Sequence, residues 1–188
     1  MAYLSPIHLR TAVSTLELGG VLAYPTEAVW GLGCDPFNER AVRKLLRLKQ
    51  RPMAKGLILI AATIEQVEPY LTLLTSQERA QVLQTWPGAH TWVVPVDERI
   101  PVWVKGTHDS VAIRVSAHPP VRALCTAYGG VIISTSANKA GKKPASNPLQ
   151  LVNIFGNGID YILPAALGGQ HKPSQIRDAR TGAILRPS

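Results

Sequence analysis

Short runs of apolar residues alternate along the chain with segments of helical periodicity. Residues 57–61, LILIA, are apolar without interruption, and such a run is typical of a buried strand. Two later runs, at 91–96 and 111–115, are rich in β-branched residues, which favour strands. Further strands are predicted at 21–24, 131–134, 161–163 and 183–185. The stretch that holds Gly31 and Gly33 is predicted to be a loop.

Capping signals place helices between these strands. Ser5 followed by Pro6 predicts a helix start, and Asn38 predicts a second helix whose buried face includes the stem of Lys49. The spacings Thr63-x-x-Gln66 and Thr75-x-x-Glu78 fit capping boxes. Helices are therefore predicted at 6–18, 39–49, 63–74, 75–86, 119–128 and 148–155. This alternation predicts an α/β fold with a mixed, twisted sheet in a single domain over residues 1–188.

Composition narrows the class of protein. The chain has 188 residues, of which 46% are hydrophobic and 17% charged, so it can bury a core. Two cysteines cannot build a disulfide framework or a four-cysteine zinc site, and the five histidines lack paired metal spacing, so no protein-bound metal is predicted. No apolar stretch approaches the roughly 20 residues that span a bilayer, and the N-terminus does not resemble a signal peptide. We therefore expect a cytoplasmic protein without a membrane partner.

Positive charge is concentrated in parts of the chain. The net charge is +8 and the pI is about 9.8, which favours anionic partners such as nucleotides or nucleic acid. A solvated basic face is the alternative at this stage. Seven basic residues and no acid lie between residues 40 and 55: Arg40, Arg43, Lys44, Arg47, Lys49, Arg51 and Lys55.

Familiar phosphate-binding motifs are missing, so side chains must supply the contacts of any nucleotide site. Lys49 and Arg51 can converge on one anion only if the helix ends between them, and Pro52 favours that end by disfavouring helix at Arg51. The alternative is a pair of ordinary charges that complement the helix dipole.

Small polar residues follow two of the predicted strands. The run Ser134 to Asn138 follows an apolar strand, at the carboxyl end where open α/β sheets bind ligands, and Thr26 follows another. A plain turn explains either run equally well. Arg114 lies inside a β-branched strand and needs an acidic partner, which is either a ligand or an internal carboxylate of Asp109 or Asp178.

Six segments, taken in order, resemble the YrdC family, and in particular its short, single-domain bacterial form. The resemblance runs from about residue 13 to residue 186. Ala89 and Ala140 depart from the family pattern, and we expect a protein without the long form's additional C-terminal domain. The segments are YPTEAVWGLGCDP, LKQRPMAKGLILIA, WPGAHTWVVP, VAIRVSAHP, STSANKAGKKPAS and PSQIRDARTGAILRP.

The resemblance implies an open, twisted α/β sheet with flanking helices and a positively charged concave face. It also implies a nucleotidyltransferase, a threonylcarbamoyladenylate synthase that condenses L-threonine, bicarbonate and ATP to threonylcarbamoyl-AMP and pyrophosphate. That product serves N6-threonylcarbamoylation of adenosine 37 in tRNA. The implied partner is the tRNA threonylcarbamoyl transferase complex, including TsaD, and Mg²⁺ is expected on the triphosphate without a protein cage.

Site residues carry over by position. The family's K-x-R and S-x-N pattern implies that a catalytic group surrounds the ATP phosphates: Lys49, Arg51, Ser136 and Asn138. Further nucleotide contacts are implied at Ser110, Ser146 and Arg186. L-threonine recognition is implied for Thr26, Arg114, Ser134 and Ser174.

A different function class stays open at this stage. An RNA-binding module without catalysis, for tRNA or rRNA, also accounts for the pI and the basic helix. Such a module has no use for a carboxylate pocket built from Thr26, Arg114 and Ser134, so those residues discriminate between the two. A carbamoyl-transferring maturation domain shares the family but usually carries zinc-binding segments, which two cysteines cannot supply.

Overall fold

The computed structural model describes residues 4–170 and 172–188, and in that part the strands form one mixed sheet. The strands are β1 Leu22–Pro25, β2 Trp30–Gly33, β3 Ile58–Ala61, β4 His90–Pro95, β5 Ser110–Val115, β6 Ile132–Ser136, β7 Tyr161–Ile162, β8 Gln175–Asp178 and β9 Ile184–Arg186. The helices are α1 Pro6–Glu17, α2 Glu39–Lys49, α3 Ser76–Leu83, α4 Val102–Lys105, α5 Pro119–Tyr128 and α6 Pro148–Phe155. Single 3₁₀ turns lie at Met53–Lys55, Glu68–Tyr70 and Gly156–Gly158. The predicted α/β class with an open mixed sheet is confirmed.

The capping signals identified most helix starts. Ser5 accepts a hydrogen bond from the Ile7 amide at the start of α1, and Asn38 accepts from the Ala41 amide at the start of α2. Thr75 and Glu78 form the predicted capping box of α3. Each side chain satisfies an amide that the first helical turn leaves unpaired.

The strand order is β7-β1-β2-β6-β3-β5-β4-β8-β9. Three pairs are parallel, namely β1 with β7, β3 with β5, and β4 with β8, and the other neighbours are antiparallel. In the centre of the sheet, Ile58 of β3 lies between Ser134 of β6 and Ala112 of β5. This register brings segments that are distant in sequence onto one surface.

The two faces of the sheet are covered unequally. One face carries the larger apolar core, which includes Leu59, Ile113 and Ile133 and is closed by α2, α3 and α6. On the other face, α1 and α5 cover the stretch around Ile60 and Ile132. Because side chains alternate between the two faces of a sheet, the residues two positions from Ile60 and Ile132 on the same strands also lie on that second face. Among the described residues, no helix packs against this further part of the second face, and a cavity forms there.

Gly31 and Gly33 lie in β2 and not in a loop, so that prediction was wrong. A Cβ at Gly33 would lie 2.4 Å from the Ile133 carbonyl oxygen and 2.8 Å from the Tyr24 ring. The glycines are therefore required for close packing of the strand against its neighbours.

One further prediction is wrong, and one strand was not predicted. The helix predicted at 63–74 is replaced by turns and the 3₁₀ turn Glu68–Tyr70, since the Gln66 side chain accepts from the Ala62 amide and donates to the Cys125 carbonyl. Its capping role is thus exchanged for tertiary hydrogen bonds. The polar strand β8, Gln175–Asp178, was not predicted, because the β4 and β9 backbones hold it.

Cys34 and Cys125 are buried free thiols, and Trp86 and Trp92 are buried in the larger core. Within the described ranges, no helix is both long and apolar enough to cross a bilayer.

Candidate active site

A cavity of about 830 Å³ opens on the uncovered part of the sheet. Its floor comes from alternate residues of the central strands, including Ser110, Ala112 and Arg114 of β5 and Ser134 and Ser136 of β6. The sequence placed the ligand at the carboxyl ends of strands. The cavity instead lies across a sheet face, because α1 and α5 leave that face open.

Eight of the eleven predicted site residues line this one cavity. They come from segments spread over some 160 positions of the chain and from both ends of the sheet. Their burial ranges from Ser136 and Arg186, which are exposed, to Thr26, which is 7% exposed. The eight are Thr26, Arg51, Ser110, Arg114, Ser134, Ser136, Ser174 and Arg186.

Three predicted nucleotide contacts are not among the residues that line the cavity. The Lys49 amino group donates to the carbonyls of Ser136 and, at 2.9 Å, Asn138. The Asn138 amide oxygen accepts from the Ser136 hydroxyl at 2.6 Å, and its amide nitrogen donates to two carbonyls of the following loop. Ser146 bonds to Gln150 at the start of α6. These groups shape the loop that presents Ser136.

The setting of Lys49 is electrostatically unusual. The residue is 4% exposed and contacts no carboxylate among the described residues. Burial, reinforced by the charge of Arg51, lowers the pKa of the Lys49 amine from 10.5 to about 8. The two carbonyl acceptors favour the charged form, but they do not offset the loss of hydration.

Arg51 turns into the cavity because the helix stops as the sequence predicted. Gln50 adopts a left-handed conformation at φ 52°, and α2 ends at Lys49. The Arg51 guanidinium donates to the Gly56 carbonyl at 2.9 Å, and burial lowers its pKa. A Cβ at Gly56 would lie 2.9 Å from the Lys105 carbonyl oxygen, so this glycine lets the α4 turn pack against the Arg51 loop.

Arg114 has an internal acidic partner, and it is neither Asp109 nor Asp178. Its Nη2 lies 2.7 Å from Oε1 of Glu27, and both side chains are less than 10% exposed. The Arg114 Nε donates to the Gly88 carbonyl at 3.1 Å. Burial lowers the pKa of Arg114, and the Glu27 charge opposes that effect. A ligand carboxylate is therefore not needed to explain why this cation is buried.

Hydroxyl groups line the end of the cavity beside Arg114. The hydroxyls of Thr91 and Ser174 lie 2.9 Å apart and both residues are buried. Arg186 donates to the Ser174 carbonyl at 2.7 Å, which ties β9 to this wall. Thr26 Oγ1 donates to the Val29 carbonyl at 2.7 Å. The wall thus combines the guanidinium groups of Arg114 and Arg186 with several short hydroxyl groups.

The basic run between residues 40 and 55 does not lie on a single surface. Arg51 and Lys55 line the cavity. Arg40, Arg43 and Arg47 are exposed on α2 and line a separate, shallow depression.

Sequence reasoning missed several cavity residues. Lys55, Lys105 and His108 add positive or titratable groups beside Arg51, and Gln170 joins from the loop before β8. The turn KGTHDS immediately before β5 was the available signal, since Lys105 and His108 precede the predicted contact Ser110. Among the described residues the lining contains six Lys or Arg residues and two Asp residues, so positive charge predominates.

The donor set of the cavity is poorly suited to a tightly held metal. The described residues contain no group of three His, Cys, Asp or Glu side chains that could hold an ion. Asp109 and Asp178 line the cavity as separate carboxylates.

Comparison with known proteins establishes the family. A family model for Sua5, YciO and YrdC proteins, described as "Telomere recombination", matches residues 14–188. The chain belongs to the Sua5/YciO/YrdC family. The resemblance found in the sequence is thereby confirmed.

Curated relatives match the family member over nearly its full length. It is 54% identical over 178 residues to the threonylcarbamoyl-AMP synthase of Hahella chejuensis, with 95% of this chain and 97% of the relative covered. It is 50% identical over 186 residues to the threonylcarbamoyl-AMP synthase of Methylococcus capsulatus, with 99% and 100% covered.

Solved structures share the fold. The P. abyssi Sua5 structure in complex with L-threonine has a TM-score of 0.88 at 29% identity, with 95% of this chain and 53% of that chain covered. The chain therefore spans about half the length of that protein. E. coli YciO has a TM-score of 0.84 at 24% identity, with 95% and 87% covered, and supports the fold alone.

Proposed function

We propose that this family member is a threonylcarbamoyl-AMP synthase, a nucleotidyltransferase that uses L-threonine, bicarbonate and ATP. The observation that carries the proposal is the single cavity that joins two kinds of recognition group. One end offers Arg114 with the hydroxyls of Thr26 and Ser174, and the other offers Arg51 and Ser136. An amino acid and a triphosphate can thus lie side by side on one sheet face. Curated relatives at about 50% identity carry the same activity in their names.

At the amino-acid end, the Arg114 guanidinium binds the threonine carboxylate through a charge-assisted hydrogen bond. Thr26, Ser134 and Ser174 offer short polar groups around the rest of the substrate. In this assignment the buried Arg114 guanidinium has two anionic partners, which are Glu27 and the carboxylate of the ligand.

At the nucleotide end, Arg51, Ser110 and Ser136 contact ATP, and Lys55 and Lys105 add positive charge. Arg186 contacts ATP from the wall that carries Ser174. In this proposal Lys49 and Asn138 act indirectly, through the loop whose carbonyls and hydroxyl they hold. Ser146, hydrogen-bonded to Gln150 outside the cavity, is left without a direct role.

The reaction needs placement and charge stabilisation more than a protein nucleophile. The threonine amine attacks the carbon of bicarbonate, and loss of water leaves a carbamate. A carbamate oxygen then attacks the α-phosphorus of ATP, and pyrophosphate leaves as the bond from the α-phosphorus to its bridging oxygen breaks. Both reactants are anionic, so the cations of the cavity must offset their repulsion. A site of Lys, Arg and Ser side chains, without a catalytic triad, fits that requirement.

Magnesium enters the proposal on the triphosphate, where it neutralises charge on the phosphate oxygens. The separate carboxylates of Asp109 and Asp178 could hold its water ligands, but they do not form a cage. The protein groups that orient the nucleotide remain Arg51 and Ser136.

Two macromolecular partners are also proposed. The product is a mixed anhydride that must pass to a tRNA-modifying transferase, and the TsaD-containing complex is the expected acceptor. Arg40, Arg43 and Arg47, exposed on α2 outside the cavity, are the groups available for binding tRNA.

The test is release of pyrophosphate from ATP with each substrate omitted in turn. The proposal predicts release that requires both L-threonine and bicarbonate, and that is lost in Arg114→Ala. An RNA-binding module would release no pyrophosphate under any of these conditions. Release that ignores bicarbonate would instead indicate simple amino-acid adenylation.

A further inference from the structure

Glu27 is a buried carboxylate beside the cavity whose role neither the sequence nor the proposed reaction explains. It follows β1 and is 6% exposed. Its Oε1 lies 2.7 Å from Nη2 of Arg114 and accepts a hydrogen bond from the Ser116 hydroxyl at 2.7 Å. The Ser116 oxygen is itself held by the His118 amide at 3.1 Å. The carboxylate is therefore fixed from several sides.

The Arg114 guanidinium has few other anchors. Its Nε donates to the Gly88 carbonyl, and Nη2 is buried against Glu27. The hydrogen bonds and ion pair among described residues thus engage Nε and Nη2, while Arg114 as a whole lines the cavity. This arrangement leaves Nη1 available for a ligand oxygen.

A buried ion pair is a costly way to stabilise a protein. Removing two charges from water outweighs much of their attraction, and apolar residues of similar size often serve stability better. The pair is also imperfect, because Glu27 Oε2 is buried and accepts no hydrogen bond from the described residues. Such a pair in a cavity wall is better explained by ligand recognition than by stability.

We infer that Glu27 is a positioning residue that holds the Arg114 guanidinium, charged and correctly oriented, for the carboxylate of the amino-acid substrate. The inference rests on the proposed function. The Glu27 charge also repels a ligand carboxylate, which opposes the effect of orientation. Orientation dominates, because the ligand contacts Arg114 directly and a misplaced guanidinium loses that contact altogether.

The experiment measures binding of L-threonine and of L-threoninamide, which lacks the carboxylate, by titration calorimetry, and the KM for ATP. The inference predicts that Glu27→Gln weakens threonine binding by about tenfold or more, the order of effect expected when a binding group is displaced. Threoninamide binding and the KM for ATP stay unchanged. Glu27→Asp, which keeps the charge, recovers part of the loss.

The matched control is Glu68→Gln. Glu68 also pairs with an arginine, Arg79, but that pair is partly exposed and does not line the cavity. It should leave all three quantities unchanged. If Glu27→Gln does not fold, Ser116→Ala removes the hydroxyl that holds Oε1 and should give a smaller effect in the same direction.

The outcomes separate the two proposals. Threonine binding that is unchanged or tighter in Glu27→Gln overturns the inference, and so does an equal loss for threonine and threoninamide. In either case the proposed function stands if the wild type still releases pyrophosphate only with threonine and bicarbonate. A wild type without that activity overturns the proposed function and the inference together.

Discussion

The buried amine of Lys49 should make the stability of this protein depend on pH in an unusual direction. In the unfolded chain the amine has its ordinary pKa of 10.5, whereas burial lowers the folded value to about 8. Below pH 8 both states hold the proton, and the fold carries the full cost of a buried charge. Between pH 8 and 10.5 the native state releases its proton first, so the free energy of unfolding rises with pH.

The size of the effect follows from the two pKa values. Linkage gives a gain in the free energy of unfolding of about 2 kcal/mol between pH 7 and pH 10. Lys49→Met keeps an unbranched side chain of similar length and lacks the titrating group. The difference in stability between wild type and Lys49→Met therefore isolates this one amine from all other groups that titrate over the same range.

Urea unfolding followed by tryptophan fluorescence, at pH 7, 8, 9 and 10, measures that difference. Trp86 and Trp92 are buried and report the loss of the core. We expect the free energy of unfolding of the wild type to increase relative to that of the variant as pH rises. A difference in free energy of unfolding that does not change with pH would refute the reasoning. If the wild type became less stable relative to the variant as pH rises, Lys49 would be held as a cation by an acidic partner.

Four other substitutions test separate parts of the account. Arg51→Ala should lower kcat by about 10²–10³-fold, as loss of one electrostatic donor does, without unfolding the protein in circular dichroism. Arg114→Lys should raise the KM for threonine more than that for ATP in steady-state kinetics, because an ammonium lacks the planar fork. Gly33→Ala should reduce the free energy of unfolding in urea by about 1–3 kcal/mol, since its Cβ would meet the Ile133 carbonyl. Thr75→Ala should cost about 1 kcal/mol in the same assay and leave kcat unchanged, because the α3 cap lies outside the cavity.

Local signals in the sequence were sufficient where local physics decides the structure. Ser5, Asn38 and Thr75 cap helices because each side chain reaches an amide two or three positions away. The end of α2 was predictable for the same reason, since Pro52 disfavours helix at the residue before it. These features need no knowledge of the rest of the chain.

The secondary-structure predictions that were wrong or missing concern segments whose structure depends on tertiary contacts. Gln66 has the spacing of a cap but bonds to the distant Cys125 carbonyl, and β8 exists only because β4 and β9 flank it. Gly31 was predicted to lie in a loop because its packing against Tyr24, within a strand, forms only in the folded protein. Propensity cannot anticipate a partner that lies far along the chain.

The candidate site shows the same division. Residue type and family resemblance selected Arg51, Arg114 and Ser136, and the sheet register brings them to one cavity. The partner of Arg114 was not predictable, because Glu27 is 87 positions away and follows β1, which three other strands separate from β5 in the sheet. The inward position of Lys49 behind the Ser136 loop likewise depends on tertiary structure.

The most direct test of the central claim follows the carbon of bicarbonate. The protein is incubated with ATP, Mg²⁺, L-threonine and ¹³C-bicarbonate, and the nucleotide products are identified by mass spectrometry. The account predicts an adenylate that contains threonine and one labelled carbon, formed together with pyrophosphate. An adenylate of threonine without the label, or no threonine-containing nucleotide at all, would contradict it.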